Sequence, residues 1–156
     1  MSDSPEPAVD RRNMTGLEAL RHGLAIGQPG LTIAKLMNYR LTEIEDGHAA
    51  FIGTPTKDMC NPMGTVHGGW YGTIMDSCLA CAIGTKLPAG AVQTTLEYKV
   101  NIIRPIPVGT TVKAIGTAQH VGRSTGIAIG EIRGADDDRL YATGSTTCMV
   151  MSLPET

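Results

Sequence analysis

The segment from Met59 to Thr85 constrains the fold more than any other part of the chain. It contains a single formally charged residue, Asp76, and from Tyr71 onward its apolar residues recur with helical spacing. The apolar positions are Tyr71, Ile74, Met75, Cys78, Leu79, Ala82 and Ile83, and the opposite stripe holds Gly69, Gly72, Thr73, Asp76 and Ala80. A helix that is apolar on one face and small on the other is predicted to be central and enclosed on both sides.

Asp76 breaks the local rules of this segment. An unpaired carboxylate is costly in a buried setting, and Asp is a poor helix former away from a helix N-terminus. An isolated conflict in an otherwise consistent segment indicates a functional residue. The alternative is a structural carboxylate that accepts hydrogen bonds from a Ser, Thr or backbone donor.

Length and charge exclude several classes of protein. The 156 residues suit one domain, and 13 basic against 15 acidic side chains give a formal charge of −2. That balance does not favour nucleic acid or an anionic membrane as partner, and no apolar run approaches the roughly 20 residues of a spanning helix.

The N-terminus is acidic and carries prolines, unlike a signal peptide. The four cysteines do not form a disulfide pattern, which predicts a reduced, cytoplasmic compartment.

The N-terminal part of the chain divides into a tail and a helical extension. Residues 1–12 are polar and predicted to be disordered, and residues 13–34 form the extension. A helix is predicted from Thr15 to Ile26, with the capping-box pair Thr15 and Glu18. Its predicted apolar stripe is Leu17, Leu20, Leu24 and Ala25. Gln28-Pro29-Gly30 ends it, and a short second helix is predicted over residues 31–36.

Residues 35–152 are predicted to form one α+β domain. Strands are predicted over 37–44, 49–53, 92–103, 111–121, 125–133 and 140–151, with a hairpin turn at Asp46-Gly47 and a loop over 54–63. Alternation in the third strand places Leu96, Tyr98, Val100 and Ile102 on one face and Thr95 on the other. Short turns favour antiparallel neighbours, so the prediction is one long helix against an antiparallel sheet of five or six strands.

The turn His67-Gly68-Gly69 immediately precedes the predicted central helix. It presents backbone N–H groups that no side chain covers, and such a helix start binds an oxyanion or a carbonyl oxygen well. Alone, this turn is more often an ordinary loop-to-helix junction. Asn61 six residues before His67 and Asp76 nine residues after it make the functional interpretation much stronger.

These residues resemble the signature of hotdog-fold acyl-CoA thioesterases of the phenylacetic-acid degradation (PaaI-type) group. The resemblance lies in Asn61-x-x-Gly64-x-x-His67-Gly68-Gly69 followed by Asp76, and it continues through Thr95, Asn101-Ile-Ile-Arg104-Pro105 and the turn Gly122-Arg123-Ser124. It covers residues 35–151. The resemblance implies a hotdog fold, in which the sheet wraps the central helix, and hydrolysis of acyl-CoA or aryl-CoA thioesters.

The resemblance also implies roles for individual residues. Asp76 would be the nucleophile or the general base for water, and the Gly68 N–H would polarise the thioester carbonyl. Asn61 would position water or the carbonyl, His67 would hold the loop in shape, and Thr95 would place its hydroxyl near the catalytic carboxylate.

The resemblance assigns CoA binding to Gly69, Arg104, Arg123 and Ser124. For Arg123 an ordinary exposed turn arginine is an equal alternative to a phosphate contact. The thioester substrate would be the only small molecule required, with no further cofactor. The implied assembly is a homodimer, two of which often pair into a tetramer.

Helix geometry leads independently to a dimer. Asp76 lies eight residues after Gly68, which is about 12 Å along a helix axis. One thioester carbonyl therefore does not reach both groups of the same helix. We predict composite sites in which Asn61, His67 and Gly68 come from one chain and Asp76 and Thr95 from the other.

Several alternatives remain open from the sequence. A non-catalytic acyl-CoA sensor and a hotdog hydratase or dehydratase would use the same fold.

The Cys78-x-x-Cys81 spacing matches a redox motif, but on a helix with no preceding strand it favours a packing role. The His and Cys residues lack metal-ligand spacing, so no metal is predicted. Trp70 departs from the family pattern and is expected to shorten or reshape the acyl pocket.

Overall fold

A computed structural model describes residues 9–27 and 32–154 of the chain. Its helices are α1 (Gly16–Ala25), α2 (Thr32–Leu36) and α3 (Gly68–Gly84), and its strands are β1 (Tyr39–Glu45), β2 (His48–Gly53), β3 (Ala91–Ile102), β4 (Val112–Val121), β5 (Thr125–Gly134) and β6 (Leu140–Ser152). The predicted α+β class, the central helix and a count of six strands are confirmed. Within the described residues, no helix is long and apolar enough to cross a membrane.

The six strands form one antiparallel sheet in the order β1-β2-β4-β5-β6-β3. The Asp46-Gly47 hairpin joins β1 to β2, as predicted, and Gly47 has a φ of 75°, which suits glycine. Among the strands of residues 9–27 and 32–154, β3 is an edge strand whose one partner is β6. One long side of β3 is consequently free to pair with another strand.

The core lies between α3 and the concave face of the sheet. The large apolar residues of α3 are fully enclosed, among them Trp70, Tyr71, Ile74, Met75 and Leu79. Cys78 packs so closely that its Sγ lies 3.2 Å from the Ala49 carbonyl oxygen and 3.3 Å from that of Ala114. This packing confirms the structural interpretation of Cys78.

Helix α1 begins at the predicted capping box but does not bury the predicted stripe. Thr15 Oγ1 accepts the Glu18 N–H at 3.3 Å, and the Glu18 carboxylate accepts the Thr15 N–H at 2.8 Å. The buried residues are instead Gly16, Ala19 and Gly23, while Leu17 and Leu20 are half-buried and Leu24 and Ala25 are exposed. Leu17 and Leu20 of the predicted stripe pack against the core, whereas the prediction was wrong for Leu24 and Ala25, because small residues let α1 approach the end of α3 closely.

The approach of α1 to α3 is governed by Gly16. Its N–H donates to the Leu87 carbonyl at 2.9 Å, and a methyl group built on its Cα would lie 1.7 Å from the Gly84 carbonyl oxygen. Arg11 extends the contact, because its guanidinium donates to the Ala91 carbonyl at 2.9 Å. The chain is therefore held against the start of β3 before residue 12. The predicted Gln28-Pro29-Gly30 turn lies outside the described residues.

A β-bulge changes the faces of β3. The pairing with β6 shifts between Thr95, opposite Cys148, and Glu97, opposite Thr147. As a result Thr95 faces α3, as Tyr98 does, instead of lying on the opposite face. Strict alternation along β3 was therefore the wrong assumption, and Leu96, at the bulge, is 59% exposed.

Candidate active site

The stripe of small residues on α3 is open in the single chain. His67, Gly68 and Gly69 are exposed, and Thr73 and Asp76 are half-buried. The prediction that α3 is enclosed on both sides was wrong, because the sheet covers the apolar face and stops at the edge strand β3. The candidate catalytic residues consequently line a surface that another molecule can reach.

Asp76 and Thr95 lie together, as the resemblance implies. Thr95 Oγ1 donates to Asp76 Oδ1 at 2.8 Å. Asp76 Oδ2 has no partner among the hydrogen bonds of the described residues. The carboxylate is thus held in one orientation by a neutral donor and keeps one oxygen free for chemistry.

The backbone N–H of Gly68, at the start of α3, has no hydrogen-bond partner among the described residues. His67 is the N-cap of α3, and its Nδ1 accepts the Gly69 N–H at 2.8 Å, while its carbonyl accepts the Trp70 N–H at 2.9 Å. No acceptor for the Gly68 N–H lies within the described part of the chain. The first donor of α3 therefore points outward with the positive end of the helix dipole behind it.

Asn61 shapes the loop that carries this donor. Its Nδ2 donates to Thr65 Oγ1 at 2.8 Å, and its Oδ1 accepts the N–H groups of Met63 at 3.0 Å and of Thr65 at 3.2 Å. The backbone of Gly64, with a φ of 80°, closes the same turn through an N–H to the Asn61 carbonyl at 2.9 Å. In the single chain the Asn61 oxygen accepts two N–H groups of this turn, and one of the two Nδ2 hydrogens is donated within it.

The remaining candidates lie at opposite ends of α3. Arg104 is near its N-terminal half: its Nη1 donates to the Leu140 carbonyl, and its own carbonyl accepts from Tyr71 Oη at 3.5 Å. The turn of Arg123 and Ser124 precedes Gly126, which packs against Ile83 at the C-terminal end. The two arginines of one chain therefore do not share a phosphate, and both Arg123 and Ser124 are exposed.

Trp70 does not line this surface. It is 1% exposed, and its indole Nε1 donates to the Met37 carbonyl at 2.8 Å. A methyl group on Gly53 would lie 3.1 Å from its Cζ2, so the indole is wedged between α3 and the start of the sheet. Trp70 therefore does not line the open stripe of α3, because its side chain leaves the helix on the sheet side.

The cysteines of α3 are not poised for redox chemistry. All four cysteines are free thiols, and burial followed by the nearby Asp76 carboxylate raises the pKa of Cys81 to about 12. Burial also raises the pKa of Cys78 well above its usual range. Both remain protonated near neutral pH, in agreement with a packing role. The described residues contain no cluster of three or more potential metal ligands.

Tyr98 is the residue of this surface that the sequence did not single out. It lies on the same side of β3 as Thr95, against Gly72 of α3, between the Gly68 and Asp76 positions. Alternation had placed it on the apolar face of β3, and the bulge at Leu96 brings Thr95 to the same side. Two grooves of about 320 and 520 Å³ lie elsewhere, one between α2 and β1 and one on the face of the sheet away from α3.

A curved antiparallel sheet around one long helix, with an exposed Gly-rich helix start and an acidic residue two turns further on, defines a hotdog-fold protein. A family model described as thioesterase superfamily matches residues 63–141. The chain belongs to that superfamily.

Within the superfamily the chain is similar to PaaI. It is 28% identical over 95 residues to the acyl-coenzyme A thioesterase PaaI of Escherichia coli, covering 60% of this chain and 65% of PaaI. The matched region thus spans slightly less than two thirds of that relative.

Solved structures carry the same fold. The E. coli PaaI protein from the phenylacetic acid degradation operon superposes with a TM-score of 0.75 at 20% identity, covering 87% of this chain and 96% of that one. A conserved protein from Pseudomonas aeruginosa gives 0.74 at 26% identity, covering 81% and 99%. A hypothetical thioesterase with coenzyme A from Streptococcus pneumoniae gives 0.67 at 21% identity, covering 76% and 89%.

Proposed function

We propose that the chain hydrolyses acyl-CoA or aryl-CoA thioesters to free CoA and a carboxylic acid. The observation that carries the proposal is the Asp76 carboxylate, oriented by Thr95 at 2.8 Å on the open stripe of α3. Membership of the thioesterase superfamily and the similarity to PaaI support the same reaction class.

Hydrolysis needs a polarised carbonyl and a placed oxygen nucleophile. The free Gly68 N–H would donate to the thioester oxygen and, with the α3 dipole, stabilise the negative charge of the tetrahedral intermediate. His67 prepares this donor by accepting the neighbouring Gly69 N–H. Asn61 keeps the loop in the conformation that exposes it.

Asp76 would either activate water as the nucleophile or act as the nucleophile itself. As general base, it takes a proton from water while the water oxygen bonds to the carbonyl carbon, and the CoA thiolate leaves when the intermediate collapses. As nucleophile, its free oxygen displaces the CoA thiolate and forms an anhydride, which water then cleaves. In both routes the Thr95 hydroxyl stays bonded to Asp76 Oδ1 and so keeps the reacting oxygen, Oδ2, in a fixed orientation.

We propose further that the working unit is a homodimer with shared sites. Gly68 and Asp76 of one α3 are about 12 Å apart along the axis, too far to act on one carbonyl. The unpaired edge of β3 offers a surface on which a second copy would continue the sheet around a two-fold axis. Each site would then combine Gly68, His67 and Asn61 of one chain with Asp76 and Thr95 of the other. Two such dimers would pair into a tetramer.

Arg123 and Ser124 are proposed to bind the phosphates of CoA. Arg123 is exposed and carries no ion pair within the described residues. Arg104 would act at the other end of α3, with part of its guanidinium held by the Leu140 carbonyl. The substrate itself is the only small molecule that this scheme needs.

The experiment is a panel of acyl- and aryl-CoA thioesters incubated with the purified protein and a thiol reagent. Release of free CoA at a rate that depends on enzyme concentration is the expected result. Binding of the thioesters without any release would indicate a sensor, and a change in enoyl absorbance would indicate a hydratase. Either of those outcomes would overturn the proposal.

A further inference from the structure

Tyr98 occupies the middle of the surface between α3 and β3. A methyl group built on Gly72 would lie 2.9 Å from Tyr98 Oη and 3.0 Å from its Cε2, so the end of the phenol rests on the Gly72 backbone. The side chain is nevertheless 47% exposed, and its hydroxyl has no partner among the hydrogen bonds of the described residues. Tyr98 therefore presents one ring face and its hydroxyl to whatever occupies this surface.

Gly72 lies halfway between the two proposed catalytic groups of α3. It is four residues, or about 6 Å, from both Gly68 and Asp76. β3 runs antiparallel to α3, because Thr95 bonds to Asp76 at one end and Ile102 lies against Gly68 at the other, where a methyl group would be 3.6 Å from its Cδ1. Tyr98 thus lies between Thr95 and Ile102 on the side of β3 that faces this stripe.

The shared site places Tyr98 at the symmetry axis. A two-fold axis that brings Asp76 to the partner's Gly68, and the reverse, passes beside the midpoint of the two positions, which is Gly72. Tyr98 of each chain would consequently stand next to the axis, between the two active sites.

The direction of the substrate follows from the position of the Arg123 turn. That turn lies near Ile83, beyond Asp76 toward the C-terminal end of α3. A thioester whose CoA part extends toward Arg123 directs its acyl group to the other side of the carbonyl carbon. On that side the next feature of α3 is Gly72, with the Tyr98 ring over it.

We infer that Tyr98 is a specificity-determining residue: its ring closes the acyl end of the site and restricts the enzyme to compact acyl groups, either short chains or a single ring. The inference rests on the proposed function and on its shared site. One methylene that a pocket excludes changes the ratio of kcat/KM between two substrates by about 10- to 200-fold. The effect of removing the Tyr98 ring on the preferred acyl length should therefore be easy to measure.

The first test measures kcat/KM for a series of straight-chain acyl-CoA thioesters, together with benzoyl- and phenylacetyl-CoA. For Tyr98→Ala we expect kcat/KM for chains beyond the parent's optimum to rise by at least about 10-fold relative to the short ones. Tyr98→Phe keeps the ring and should keep the parent's length limit. Lys99→Ala, a neighbour whose side chain lines the groove on the other face of the sheet, should also keep that limit.

A second test does not depend on turnover. S-alkyl-CoA thioethers of increasing length are not hydrolysed, and calorimetry gives their dissociation constants for the same four proteins. We expect the parent to lose affinity beyond a given length and Tyr98→Ala to bind the longer thioethers. The same length limit in Tyr98→Ala, an altered limit in Tyr98→Phe, or failure of any thioether to bind would overturn the inference. Length-dependent binding without CoA release would instead overturn only the proposed hydrolysis.

Discussion

At the scale of the residue, a substitution at the N-terminus of α3 can remove the free Gly68 N–H while the rest of the helix stays intact. Gly68 is the first helical residue, a position that accepts proline, and His67 before it has φ −64° and ψ 139°, which a following proline requires. Gly68→Pro therefore deletes the free donor without breaking the helix. We expect kcat to fall by on the order of 100- to 1000-fold, the effect of losing one oxyanion donor.

Gly68→Ala is the matched control for that prediction. A methyl group there meets only Ile102 Cδ1, at 3.6 Å, and the N–H is retained, so most of the activity should remain. Circular dichroism and thermal midpoints of both variants should match the parent. Equal activity losses in the two variants would mean that space near Gly68, and not its N–H, limits the reaction.

Asp76→Asn is predicted to abolish nearly all hydrolysis while the protein stays folded and still binds CoA esters. The amide oxygen can accept the Thr95 hydroxyl as the carboxylate does, but the amide neither attacks a carbonyl nor takes a proton. The loss in kcat should be at least about 100-fold, as for a positioned acid–base group. Turnover near the parent rate would identify Asp76 as a structural carboxylate.

Arg123→Ala is predicted to raise KM for CoA thioesters with a smaller effect on kcat. A phosphate contact far from the reacting bond contributes equally to ground-state and transition-state binding. A thioester that lacks the nucleotide should be little affected. Arg139→Ala removes the same charge from the turn between β5 and β6 and serves as the control. Equal losses for the full and the truncated thioester would contradict the phosphate contact.

At the scale of the element, the contact between α1 and α3 depends on the absence of one side chain. Gly16→Ala would bring a methyl group into the Gly84 carbonyl, so the two helices must move apart. We expect the free energy of unfolding to fall by about 1–3 kcal/mol, the usual cost of overpacking. Denaturant unfolding measures it.

Arg21→Ala provides the reference for this helix. Arg21 is exposed in α1, and its replacement should change stability by no more than about 0.5 kcal/mol. If Gly16→Ala were equally mild, α1 would not be docked on α3 in solution. The N-terminal extension would then be dispensable for the stability of the sheet and its central helix.

At the scale of the whole molecule, the shared site predicts complementation between two inactive chains. Gly68→Pro and Asp76→Asn proteins are unfolded, mixed and refolded together. Under random pairing half of the dimers are mixed, and each has one intact site of two, so about a quarter of the parent activity should return. Each variant refolded alone is the control. No recovery, despite subunit exchange shown with differently tagged chains, would mean that the site is built within one chain.

Much of the fold follows from the sequence because its signals are local. The period of apolar residues in α3, the Thr15–Glu18 capping box and the Asp46-Gly47 hairpin each depend on contacts within a few residues, and each is found as predicted. The Asp76–Thr95 pair was also anticipated, but only through the family resemblance. Alternation along β3 alone had placed Thr95 on the wrong face.

The way in which the elements approach one another was decided only by the tertiary structure. The bulge at Leu96, which turns Thr95 and Tyr98 to the same side, arises in the pairing of β3 with β6, 53 residues apart at Thr95 and Cys148. The burial of Gly16 in place of the α1 leucines, and the direction of Trp70 away from the site, depend on which surface each helix meets. Local periodicity identifies an apolar face, whereas the partner that covers it is set by packing between distant segments.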